Sequence, residues 1–293
     1  MSIFTFLVKD CNVKSYRIYI KLLKLSNIYY IMKITEIERM FIMTDLKGKW
    51  ALVTGASRGL GRLAAEVLAE HGCNLILQSR TTEGTENIAQ EFAEKYSINA
   101  WSVAADLESE VSVNEMMETI DKSGNIPDVI LNNAGVQIAY RDKIYDTPVS
   151  DYLTSFKVNT IAPMMICYHY IPKMIEKGFG RIVNTTSGIA LEPEQGGYSA
   201  SKAALDKVTI DLGLKLEGTD IVISLADPGW CRTDLGGPKA PNSPESAIPG
   251  IVVGAFVNDK KSGRLFRSSD FYGMTLEQAV EKAESENGSV YNQ

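Results

Sequence analysis

Tyr198 and Lys202 stand four residues apart in the segment GGYSASKAAL, a pairing of phenol and ammonium suited to proton transfer. Residues at i and i+4 share one helix face, so a helix here puts the two groups a turn apart. A free tyrosine titrates at about pH 10, too high for efficient proton exchange at neutral pH. A neighbouring cation favours the phenolate, and lowering the value by about three units takes roughly 4 kcal/mol of differential stabilisation. A phenol tuned in that way can trade a proton with a carbonyl or alcohol oxygen. Taken alone, tyrosine and lysine at this spacing are more often an exposed aromatic and a solvated cation. The overlapping Ser199 to Lys202 also reads SxxK, a serine acyl-enzyme pattern, but the companion SDN and KTG segments are missing from the sequence.

A second motif lies upstream. TGASRGLG at 54–61 follows an apolar strand and opens a helix. Gly55 permits the tight turn, Gly59 lets backbone approach a pyrophosphate, and Gly61 lets the helix pack on the strand; Ser57, Arg58 and Leu60 complete the loop. The helix N-terminus then offers free N–H groups and a favourable dipole to phosphate. The spacing is GxxxGxG, not the commoner GxGxxG, and a glycine-rich turn by itself is often only a turn. NNAG at 132–135 supplies Asn132, Ala134 and Gly135 at a strand end that braces this cradle. The strand that follows the cradle ends NLILQSR, with Ser79 and Arg80 where an acid would bind adenosine ribose hydroxyls. Arg80 and Arg58 together suit a 2′-phosphate, because guanidinium binds it through paired charge-assisted hydrogen bonds. The expected cofactor is therefore NADP(H); the plainer alternative is two solvated surface arginines. Asp106, ending the third strand, is placed to accept from the adenine amine or else to cap the next helix.

These groups need a scaffold, and the chain supplies a regular one from residue 49. Apolar strands WALVTG, NLILQ, AWSVAAD, PDVILNN, RIVNTTS and DIVISLADPG alternate with helical spacing at 59–71, about 83–96, about 109–121, 149–177 and 197–216. A bend is expected at Pro163. A proline-rich loop, a helix at about 244–257 and a last strand at 264–267 finish the core. Strands alternating with helices of ten or more residues imply parallel pairing with right-handed crossovers, and the near-continuous apolar strands read as buried on both faces. The fold class is α/β: a doubly wound parallel sheet of about seven strands with helices on both faces, in a single domain over 46–293. Residues 1–45, rich in Ile, Tyr, Lys and Phe, are expected to be a disordered extension or to precede a true start at Met43. They hold no run of ~20 apolar residues able to span a bilayer and no signal-peptide pattern.

Bulk properties exclude other classes. A net charge of −6 argues against a nucleic-acid surface. The four cysteines form no CxxC pair and the two histidines are isolated, which speaks against a metal site and for reduced thiols in a cytoplasmic protein. His71 reads as a helix-terminal residue and His169 as packing or surface.

With TGASRGLG, NNAG, FKVNT, NTTSG, YSASK and PGWCRT in this order, the chain resembles the short-chain dehydrogenase/reductase family over about residues 46–270, carbonyl-reductase-type members in particular. The resemblance implies a Rossmann fold and a catalytic tetrad at Asn159, Ser187, Tyr198 and Lys202. In it Tyr198 is the general acid/base, Ser187 binds the carbonyl oxygen, and Lys202 also binds the nicotinamide ribose. Asn159 holds a water that relays protons to the lysine. The resemblance places Pro228, Gly229 and Thr233 over the cofactor, with Thr233 near its carboxamide. It implies a carbonyl or alcohol substrate and a homodimer or homotetramer joined through the helices at 149–177 and 197–216. One departure stands out: Ser187 precedes Tyr198 by eleven residues where many members have thirteen, which bears on the substrate pocket more than on the chemistry. Gln137, Ile138, Leu191 and Trp230 are candidate pocket walls. A non-enzyme reading, an NADP(H)-binding redox sensor or scaffold, needs the same fold without turnover.

Overall fold

The structure is a computed structural model that describes residues 43–138, 140–189 and 192–286. The chain divides into Met1–Met43 and Thr44–Gln293; only the second unit is described below, and the expected extension lies almost wholly outside the described residues. The second unit runs β1 (Trp50–Val53), α1 (Gly59–Glu70), β2 (Asn74–Ser79), α2 (Glu86–Tyr96), β3 (Ala100–Ala104), α3 (Glu110–Ser123) and β4 (Val129–Asn132). It continues through α4 (Val149–Phe156), a π-helical turn (Lys157–Ile161), α5 (Ala162–Lys177), β5 (Gly180–Thr185), α6 (Gly196–Lys215), β6 (Ile221–Asp227), α7 (Pro244–Phe256), β7 (Arg264–Arg267) and α8 (Leu276–Ser285).

The seven strands form one sheet in the order β3-β2-β1-β4-β5-β6-β7, every pairing parallel. Strands β4, β5 and β6 are buried at every position, because helices cover both faces. Helices α1, α2, α7 and α8 form one layer; α3, α4, α5 and α6 form the other. Leu52, Ile76, Ile130, Ile182 and Ile223, one per strand, pack with Met116, Ile120, Ile166 and Tyr170 of the second layer. The order of winding reverses between β1 and β4. Loops leaving the carboxyl ends of these two strands therefore diverge and leave a crevice, the usual place for a ligand in such sheets.

Three features differ from the sequence expectation. The long helix is not simply bent at Pro163: it widens into the π turn just before it. Pro163 has no N–H to give the carbonyl of Asn159, so an α ladder cannot run unbroken through this stretch. The fold also continues past residue 270 into α8. Its start carries a capping box, with Gln278 N donating to Thr275 Oγ1 (3.3 Å) and Thr275 N donating to Gln278 Oε1 (3.0 Å). Packing also begins before Leu46, since Thr44 N donates to Phe256 O (2.8 Å).

The glycine turn is held against the start of α1 with no room to spare. Gly55 has φ +65°, and a Cβ on Gly61 would lie 2.3 Å from Gly55 O and 2.6 Å from Asn133 Nδ2. Gly61→Ala is therefore expected to lower the unfolding free energy by about 1–3 kcal/mol, as overpacking does. Urea denaturation measures it; a midpoint equal to wild type would mean that the helix does not press on the turn.

Candidate active site

The crevice at the reversal point has a volume of about 660 Å³ and is bounded by the loops that leave β1, β2, β3, β4, β5 and β6. Gly55, Ser57, Arg58, Gly59 and Leu60 form one wall, and Arg80 and Asp106 lie along its lip. Ala134 and Gly135 form the floor. Pro228 and Thr233 come from the far side, and Tyr198 and Lys202 line the inner end. Its size and the glycine-turn wall fit a dinucleotide laid across the ends of β1 and β4.

Asn132, Gly61 and Gly229, expected at the cofactor, are not among the lining residues. Asn132 ends β4 with its side chain turned into the sheet: Nδ2 donates to Asn184 Oδ1 at 2.8 Å, its register partner on β5. Asn184 Nδ2 in turn donates to Thr209 Oγ1 of α6 (2.8 Å). The next residue, Asn133, lines the crevice instead. Gly61 is spent on packing, and Gly229, at φ +66°, is exposed. Asp106 does not cap α3. That role falls to Ser109, whose hydroxyl accepts from Ser112 N, while Asp106 Oδ1 accepts from Glu108 N (3.0 Å).

Two residues that hold the cradle went unnoticed in the sequence. Gln78, 1% exposed in an apolar strand, receives Gly55 N on Oε1 (3.0 Å) and donates Nε2 to Ala105 O (2.9 Å), tying the glycine loop to the end of β3. A glutamine inside the apolar run NLILQ was the available signal, since a buried amide needs partners. Thr54 Oγ1 accepts from both Asn133 N and Ala134 N (3.1 Å each), locking NNAG to β1.

The four tetrad positions converge from three elements. Asn159, fully buried in the π turn, accepts from Val136 N (2.8 Å) and donates to Val136 O (2.9 Å) and Ser201 Oγ (3.0 Å). It thus clamps the loop after β4 to α6. Lys202 is 3% exposed, and its Nζ donates to Thr185 O at the end of β5 (2.7 Å). A Cβ on Gly135 would be 3.4 Å from Asn159 Oδ1 and 3.6 Å from Lys202 Nζ, so this backbone position lies against both polar groups at ordinary contact distance. Lys202 Nζ lies 6.0 Å from the Tyr198 ring centroid. The Ser187 side chain is close enough to the Tyr198 phenol to favour its ionised form, so the eleven-residue spacing still brings the two together.

Without a bound cofactor, burial pushes the Tyr198 phenol above its ordinary value; Ser187 opposes this and the Asp227 charge adds to it. Lys202 does not offset the burial. Its own value is pushed down by burial to about 8, with the Asp206 charge pulling the other way. An ammonium already bonded to a carbonyl, on the flank of the ring, has less hold on the phenol oxygen than an i, i+4 neighbour on a bare helix would suggest.

A second, smaller recess touches Tyr198. It is lined by Ile138, Arg141, Thr147, Asp151 and Glu194, with Arg141 paired in two-fold fashion to Asp151 (2.8 and 3.0 Å). Gln137 is half-buried and Leu191 lies outside the described residues. Trp230 is 57% exposed rather than core, pinned by its indole N–H donating to Gly236 O (2.7 Å). The loop that carries it folds back on itself, with Arg232 donating to Ala240 O and Pro241 O. Across the crevice mouth, Asp234 pairs with Arg58 (2.8 Å).

Comparison with known proteins agrees with this architecture. The family model described as short chain dehydrogenase matches residues 49–243. The chain is 34% identical over 193 residues to a 3-oxoacyl-(acyl-carrier-protein) reductase of Aquifex aeolicus, covering 65% of this chain and 77% of that protein. It is 32% identical over 209 residues to carbonyl reductase family member 4 of Danio rerio, covering 70% and 84%. A metagenomic short-chain oxidoreductase solved in complex with NADP superposes with a TM-score of 0.59 at 28% identity, covering 65% and 86%. The chain belongs to the short-chain dehydrogenase family, oxidoreductases that bind a nicotinamide cofactor.

The displaced lysine generates a pH prediction. A cation at Lys202 is present below about pH 8 and is lost above it. For the reductive direction, kcat/KM, which reports free-enzyme ionisations, is expected to hold at neutral pH and fall through about pH 8. A flat profile to pH 10 would show that this ionisation does not matter.

Proposed function

We propose that the protein is an NADPH-dependent oxidoreductase that interconverts a carbonyl, aldehyde or ketone, and an alcohol. The observation that carries the reading is the convergence of Tyr198 and Lys202 at the inner end of the glycine-turn crevice, with Ser187 beside the phenol. Gly55 to Leu60 would hold the pyrophosphate, with Asp106 near the adenine and Thr233 and Lys202 toward the nicotinamide end. Bound there, the nicotinamide supplies or accepts the hydride.

The chain's own groups handle the proton and the charge. Tyr198, whose burial keeps it protonated at neutral pH, gives its proton to the substrate oxygen in the reductive direction. Ser187 donates to the same oxygen and stabilises the charge that develops on it. Lys202, held by Thr185 O, places a cation beside the site and orients the ribose. Asn159 fixes the loop after β4 and the helix of Tyr198 in one register.

The NADP preference rests on Arg80 and Arg58 beside Ser79 at the crevice lip. The pairing of Arg58 with Asp234 does not prevent this, because both side chains are largely exposed, 64% and 73%, and such pairs hold weakly in water. Relatives named as a 3-oxoacyl-(acyl-carrier-protein) reductase and a carbonyl reductase family member support a carbonyl as the substrate class.

Two outcomes test the reading. In a panel of aldehydes, ketones and quinones followed at the cofactor absorbance, Tyr198→Phe is expected to lose at least ~100-fold in turnover, the scale of a removed general acid. Its NADPH affinity, by fluorescence titration, should stay within about twofold; retained turnover would refute the role. Arg80→Gln is expected to weaken NADPH about tenfold, equivalent to about 1.4 kcal/mol, and leave NADH unchanged. Equal binding of both cofactors by the wild-type protein would refute the preference.

A further inference from the structure

One titratable group beside the reacting centre has no part in the chemistry above. Asp206 lies on α6, four residues beyond Lys202, so both project from the same helix face. Its Oδ1 accepts a short hydrogen bond from Thr186 Oγ1. Lys202 Nζ donates to the carbonyl of the preceding residue, Thr185. Two consecutive residues at the end of β5 are therefore gripped by two consecutive turns of α6, and the next residue, Ser187, is the one beside the Tyr198 phenol.

The charges around this pair have definite places. The groups facing Lys202 are the Thr185 carbonyl from β5, Asn159 from the π turn, the ring of Tyr198, and Asp206 from its own helix. Of these, the Asp206 carboxylate is the charged group that acts on the ammonium. Asp206 in turn faces Thr186, Lys202, and Asp227 at the end of β6. Asp227 adds like-charge repulsion there, while its own Oδ1 accepts from Gly229 N (2.9 Å).

We propose that Asp206 is a positioning residue of this centre: its carboxylate anchors Thr186 and, as the anion facing Lys202, keeps the buried ammonium charged. The inference rests on the proposed function for its consequence in turnover, but not for the link between the two side chains. Burial drives Lys202 toward neutrality against the pull of Asp206, and it raises the Asp206 carboxyl to about 6 against the pull of Thr186 and Lys202, with Asp227 adding to the rise; at neutral pH both groups are charged and each supports the other. Between pH 6 and 8 both groups carry their charges and attract across one helix turn. Above pH 8 the lysine loses its charge; below pH 6 the carboxylate does.

Asp206→Asn separates the two roles, because the amide oxygen still accepts from Thr186 while the charge is gone. The direct readout is ¹³C NMR of lysine Cε in protein labelled at lysine and free of cofactor, with the Lys202 resonance assigned by its loss in Lys202→Met. In wild type this resonance should titrate near pH 8. In Asp206→Asn the midpoint should fall by about 0.5–1 unit, the scale of losing one nearby opposite charge. The alkaline limb of kcat/KM should move by the same amount. Thr186→Val keeps the charge and should leave the midpoint within about 0.2 unit of wild type, a shift too small to reflect a lost charge. An unchanged or raised midpoint in folded Asp206→Asn would overturn the assignment, as would an equal fall in Thr186→Val. If Lys202→Met retains turnover, the proposed function fails, while the NMR midpoints still decide the role of Asp206.

Discussion

The structure around the crevice depends on a cation kept where water cannot reach it. Lys202 is 3% exposed, and an ammonium so placed persists only if its desolvation is offset by hydrogen bonds and a facing charge. Thr185 O receives it, and Asp206 faces it. Each of these partners ties α6 to the end of β5. The requirement to satisfy one buried charge thus fixes the helix that carries Tyr198 against the strand that leads to Ser187. Asn159 completes the arrangement from the third side by joining the loop after β4 to Ser201.

That dependence explains why irregular backbone gathers here. The π turn at Lys157–Ile161 brings Asn159 inward, and the missing N–H of Pro163 prevents a regular helix from forming in its place. Gly135 lies against both Asn159 Oδ1 and Lys202 Nζ. On the other side of the crevice, Gly55 and Gly61 meet almost in contact, and Gln78 and Thr54 tie the resulting turn to β3 and β4. The cradle is held by neighbours on both flanks. Across the mouth runs the exposed Arg58–Asp234 pair, which can yield to a ligand at small cost.

Much of this was legible in the sequence. Continuous apolar strands alternating with amphipathic helices suffice for a parallel doubly wound sheet, and the glycine spacing places its crevice. The pairing of Tyr198 with Lys202 was readable from helical periodicity. What escaped had a common physical cause: the direction of individual side chains at strand ends. Asn132 and Asn133 are the same residue type, and only strand alternation sends the first into the sheet and the second into the crevice. Sequence spacing reveals the charge neighbouring Tyr198 but not how deeply the phenol is buried, which pushes its pKa up. Helix α8 was overlooked although TLEQ at 275–278 carries a capping-box pattern, because its apolar face is only Ala279, Val280 and Ala283.

The central claim is that the buried ammonium and the phenol beside it face a dinucleotide bound across the ends of β1 and β4. A crystal structure of the protein grown with NADP tests it most directly. The account predicts the pyrophosphate on the 55–60 turn, the 2′-phosphate between Arg58 and Arg80, and the nicotinamide end beside the Tyr198 hydroxyl with Lys202 Nζ at its ribose. Density for the dinucleotide elsewhere, or a Tyr198 hydroxyl turned away from the crevice, would contradict it.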